Sequence, residues 1–139
     1  MGGRGYKNDA STYLADSNKI MEYTRVYMTP DEKIEFLIDV ISPSAPTLPI
    51  FSNSPNKIYV LINKRMTGLK SIGIYDEHHI LKESIHLDHK HNKNIPHVHV
   101  GDAYHHSRNE GRSLTPEELK LVSDVLKIWE DLRKNNFFL

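Results

Sequence analysis

Two imidazoles one residue apart, in Pro96-His97-Val98-His99-Val100, are the groups in this sequence best placed for chemistry. In an extended strand alternate side chains share a face, so His97 and His99 project together while Val98 and Val100 turn toward a core. Imidazole titrates near neutral pH and serves as acid or base. It is also a common ligand of zinc. All nine histidines (78, 79, 86, 89, 91, 97, 99, 105 and 106) fall between His78 and His106, a confinement that composition alone does not require. Residues 86–112 are therefore read as the site.

Two chemistries fit these residue types. One is metal-free cleavage of RNA, which needs a base, an acid and a cation near the scissile phosphate. His97 and His99, with His89, would supply proton transfer. Arg112 and Lys93 would stabilise the phosphate charge, and Tyr104 would stack on a base. This reading needs no cofactor. The other is a zinc site in which His97 and His99 are two ligands and Asp88, His89 or His91 completes three. A metal-bound water would then carry out hydrolysis. The metal-free reading is narrowly preferred. Single histidines are more often surface or hydrogen-bonded residues, so His78 and His79, in an expected turn, are set aside. His86, His105 and His106 are evenly balanced.

The elements that must position these groups are read from periodicity and punctuation. Residues 1–28 are expected to be a flexible arm with a short ordered segment. Thr29, Pro30 and Glu32 have the pattern of a helix start, and Ile34, Leu37, Ile38 and Ile41 recur at helical spacing. Four prolines between Pro43 and Pro55 mark a crossing loop. Residues 57–62, 69–75, 80–87 and 97–100 read as strands, with a turn at Asp76–His79. Thr115, Pro116 and Glu118 start a last helix, with Leu119, Val122, Leu126 and Trp129 as its apolar stripe. The expected fold is α+β. One compact domain at 29–139 holds a four-stranded antiparallel sheet packed by an N-terminal and a C-terminal helix.

Composition sets outer limits. The chain has 139 residues, 18 basic and 18 acidic, which suits one domain. There are no cysteines, so disulfides, thiolate metal sites and a cysteine nucleophile are excluded. No apolar run is long enough to span a bilayer, so no membrane partner is expected. Met1-Gly2-Gly3-Arg4-Gly5 leads into polar sequence without a signal-peptide core, which points to a cytoplasmic protein as encoded. Lys and Arg outnumber Asp and Glu from Lys57 to Arg112, which permits an anionic partner such as RNA.

Several segments carry a family resemblance. They are residues 69–76, Ile85-His86-Leu87-Asp88-His89, Pro96-His97-Val98-His99 with Gly101, Asn109-Glu110, Leu114-Thr115-Pro116-Glu117-Glu118 and Trp129. With Gly2-Gly3-Arg4-Gly5, they resemble a largely uncharacterised family of small proteins from phages and mobile elements of Gram-positive bacteria. Similar modules end secreted polymorphic toxins and phage head proteins. The resemblance covers residues 57–130 and the N-terminal tag; residues 29–55 and 101–108 depart from it. It implies a barnase/EndoU/RelE-like fold and a toxin-like nuclease acting on RNA. It also implies an immunity partner in a toxin setting, and phage association or delivery to target cells. Fold analogy does not fix function. The competing expectation is a non-enzymatic accessory protein that binds a metal or a partner through its histidines.

Overall fold

The computed structural model describes residues 11–16, 19–41, 46–63, 65–87, 97–100 and 112–135. Among the described residues seven strands precede one helix: β1 (Ser11–Asp16), β2 (Lys19–Met28), β3 (Ile34–Asp39), β4 (Ile58–Ile62), β5 (Leu69–Tyr75), β6 (Leu81–His86), β7 (His97–Val100) and α1 (Pro116–Lys134). The strands make a single sheet in chain order, so each pairs with its sequence neighbour. β3 and β4 run parallel, and all other neighbours are antiparallel.

This overturns the expected four-stranded antiparallel sheet between two helices. The sheet is seven-stranded and mixed, and α1 is the single helix among the described residues. The segment expected to be the N-terminal helix is strand β3. Its supposed start is a β2–β3 turn: Thr29 and Ile34 exchange hydrogen bonds, and the Lys33 amide donates to the Asp31 carboxylate. Glu32, cast as the capping-box residue, has φ 64°, a left-handed conformation that a right-handed helix cannot contain. Glu35, Phe36 and Leu37 are all buried because β3 is covered on both faces. Such a strand loses the alternation that would have identified it. β1 and β2 also belong to the sheet, although sequence reading placed β1 in the flexible arm and read most of β2 only as a short ordered segment.

The pairing register defines two faces. Phe36, Val60, Ile72, Ile85 and Val98 stand directly opposite one another across β3 to β7, and each is fully buried. With Val122, Val125, Trp129 and Leu132 of α1 they form the larger core. The buried stripe of α1 is shifted from the expected one. Leu119 and Leu126 point outward, and Val125 and Leu132 take their place beside Val122 and Trp129. The start of the helix is as its sequence indicates, with Thr115 and Glu118 forming a reciprocal capping box.

The opposite face is covered by the proline-rich crossing between β3 and β4. Parallel neighbours need a long connection, usually a helix on one face. Here the described part of the connection, residues 46–57, is an irregular strap held by hydroxyls and a short bridge. Tyr23 donates to the Thr47 carbonyl at 2.5 Å, and Tyr75 donates to the Pro49 carbonyl. The Asp39 carboxylate accepts the Thr47 amide, and Phe51 bridges Ile80. Leu48 and Ile50 thereby pack on Tyr23, Leu37, Tyr59, Leu61, Tyr75 and Leu81 as a second core. Gly73 lets the strap approach: a Cβ there would lie 3.0 Å from a Leu48 methyl. Under this core Glu35 is fully buried, but it is paired with Lys57 and Arg25.

Candidate metal centre

Continue the register to the sheet edge and the strap face changes character. One row runs Leu37, Leu61, Ser71, His86, His97, and the next runs Glu35, Tyr59, Gly73, Ser84, His99. Large side chains under the strap give way to three small residues and then to three histidines. Ile85 and Val98 point into the helix-side core, so the residues flanking them in sequence must face the other way. Antiparallel pairing then sets His86 directly opposite His97 and Ser84 directly opposite His99.

The three imidazoles converge. Ring centroids are 5.2 Å apart for His86 and His97, 4.2 Å for His86 and His99, and 5.1 Å for His97 and His99. One ring nitrogen from each lies within 4.8 Å of the other two. His97 is fully buried, while His86 and His99 are half-buried. Ser84 Oγ lies 3.3 Å from His86 Nε2.

A tetrahedral zinc ion with bonds of about 2.0–2.1 Å needs ligand nitrogens roughly 3.4 Å apart. The widest separation here exceeds that by at most about 1.4 Å, a shift small enough for side-chain rotation to supply. Three neutral imidazoles on one face also leave coordination positions free, as catalytic zinc sites require.

His97 and His99 thus share a face, as their spacing indicated. Arg112 does not join them. Its backbone bridges Val98 in both directions at 3.0 and 3.2 Å, and the register sends its side chain toward the helix. There Arg112 donates to both carboxylate oxygens of Glu118, at 3.0 and 2.9 Å, and lies 3.7 Å from Glu83. Arg112 ties β7 to α1 behind the cluster and is not positioned to hold an anion beside the imidazoles. Asp88, His89, His91, Lys93, Tyr104, His105 and His106 lie outside the described residues. His86 is the member that sequence reading left balanced. A usable signal existed: Ile85-His86 and Val98-His99 carry the same in–out phase on neighbouring strands.

The Glu83–Glu118 pair has a pH consequence. Burial, followed by the adjacent Glu118 carboxylate, pushes the Glu83 carboxyl up to about 7. The Arg112 hydrogen bonds hold Glu118 down at about 2. Between pH of about 4.5 and 7 the folded protein retains a proton on Glu83 that the unfolded chain releases, so stability falls as pH rises through that window. Glu118 acts in the opposite sense, and its contribution is lost as pH drops below about 4.5 toward 2. Thermal melts of the metal-free protein at pH 5 and pH 8 should therefore show a larger decline than melts of Glu83→Gln. Equal declines would contradict the assignment.

The chain matches no family model, no curated protein and no solved structure.

Proposed function

We propose that the chain is a metal-dependent hydrolase domain. His86, His97 and His99 hold a divalent transition metal, zinc on ligand chemistry, and the substrate is a phosphodiester in RNA. The convergence of three ring nitrogens within 4.8 Å carries the metal reading. Imidazole suits zinc, and an ion held by these three residues would supply Lewis-acid activation of water and of a phosphoryl oxygen. The choice of RNA rests on the resemblance of the motifs between Ile85 and Glu118 to toxin-associated nuclease modules.

Two observations favour the metal over the metal-free alternative. In-line transfer at phosphorus places the acid and the base on opposite sides of the phosphate. Rings with centroids 4.2–5.2 Å apart leave no space for a phosphodiester between any two of His86, His97 and His99. Of the two cations expected to serve the metal-free reaction, Arg112 is committed to Glu118 on the other face, and Lys93 lies outside the described residues. The fully buried His97 and the half-buried His86 and His99 would together hold the ion.

The test is cleavage of a labelled single-stranded RNA by purified protein. Cleavage should disappear after chelation and return with stoichiometric zinc. Undiminished cleavage in chelator would restore the metal-free mechanism. Tight zinc binding without cleavage would reduce the proposal to a non-enzymatic metal-binding protein.

A further inference from the structure

We infer that Arg112 is a positioning residue of this centre: it clasps β7 onto β6 in the register that turns His97 and His99 toward His86. The inference rests on the three-histidine reading above. β7 is four residues long and carries the alternating sequence His-Val-His-Val. It lies at the end of the sheet, beyond β6. Slipping such a strand by one residue would move both histidines to the helix face and both valines to the strap face. A short outer strand therefore gains from having its register fixed by groups outside it.

Arg112 supplies such groups. Its backbone exchanges both hydrogen bonds with Val98, the residue between the two β7 ligands. Residues paired in this way share a face, so the Arg112 side chain leaves on the side of Val98, away from the imidazoles. The guanidinium then passes over β7. Its Nη2 lies 3.7 Å from Glu83 Oε2, and Glu83 belongs to β6, directly opposite Val100. The same guanidinium is bidentate on Glu118, at 3.0 and 2.9 Å. Glu118 is itself buried and accepts the Thr115 amide at 2.8 Å, so the fork ends on the capped first turn of α1. With the Arg112 backbone on one side of β7 and Glu83 on the other, the strand is held between them. A one-residue slip of β7 together with its bridge would turn Arg112 to the strap face, away from both carboxylates.

Arg112→Met keeps the backbone bridge and removes the fork, while Arg112→Lys keeps a cation without the bidentate geometry. Zinc affinity, measured by competition with a chelating dye, should fall about 2- to 30-fold in Arg112→Met. Hydrogen exchange of the metal-free proteins separates positioning from general stability. Protection of the Val98 amide, 3.0 Å from the Arg112 carbonyl, should drop in Arg112→Met while the amides of β4 keep theirs. Saturating zinc should restore the lost protection, because binding and register are linked. Arg112→Lys should show the same pattern on a smaller scale, and it carries the comparison if Arg112→Met does not fold. Unchanged zinc affinity in both variants, or protection lost equally at Val98 and across β4, would overturn the role of Arg112 while leaving the metal centre standing. If the unaltered protein binds no zinc, the three-histidine reading fails first and the role of Arg112 fails with it.

Discussion

His97→Ala should weaken zinc binding by more than about 100-fold, beyond the loss expected from removing an outer hydrogen bond. His97 is the most buried of the three ligands and stands directly opposite His86. Without it, two half-buried imidazoles remain among the described residues, and two ligands do not define a catalytic zinc site. The sheet should survive, because the fully buried row from Phe36 to Val98 lies on the other face and is untouched. Thermal melting separates the two effects. A ligand present at 100 times its dissociation constant stabilises the folded state by about 2.7 kcal/mol. Zinc should therefore raise the melting temperature of the unaltered protein and leave that of His97→Ala in place. A similar rise in both would remove His97 from the centre.

Trp129→Ala should be the most damaging single change to the fold, costing about 3–5 kcal/mol. Trp129 is 5% exposed and stacks on Phe36 with ring centroids 6.4 Å apart and planes within 10°. The Arg133 guanidinium lies 5.9 Å from the indole centroid on the helix side. The indole therefore joins α1 to the middle of the sheet. In a chain of this size such a loss should lower the melting temperature by roughly 10 °C or more. Leu126→Ala, on the same helix but exposed, should move it by no more than about 2 °C. The consequence reaches the site: an undocked α1 withdraws Glu118 from Arg112, and Arg112 is what bridges β7 at Val98. Equal melting temperatures for the two variants would contradict this view of the core.

What could be read from the chain divides by the range of the interactions involved. The start of α1 was legible because Thr115, Pro116 and Glu118 satisfy one another within a single turn. The shared face of His97 and His99 was legible because it needs only the period of a strand. β3 was not, since Ile34, Leu37, Ile38 and Ile41 fit a helix in isolation. What decides against the helix is burial from both sides and the parallel partner β4, some twenty residues further on. β1 and β2 were not read as strands for a related reason: their polar residues alternate weakly, and the pairing of β1 with β2 and of β2 with β3 supplies the order.

The site follows the same rule. His86 joins it only through register with β7, across a connection that fixes no pairing by its own length. Arg112 lies near the histidines in sequence, yet one residue of strand bridging turns its side chain to the opposite face. In both cases the parity of a long-range pair overrides proximity along the chain.

The most direct measurement is a calorimetric titration of chelator-treated protein with zinc at neutral pH, alongside the variant in which His86, His97 and His99 are all alanine. The expected result is one ion bound per chain with submicromolar affinity, and no comparable binding to the triple variant. Absence of binding to the unaltered protein, or equal binding to both, would contradict the three-histidine centre.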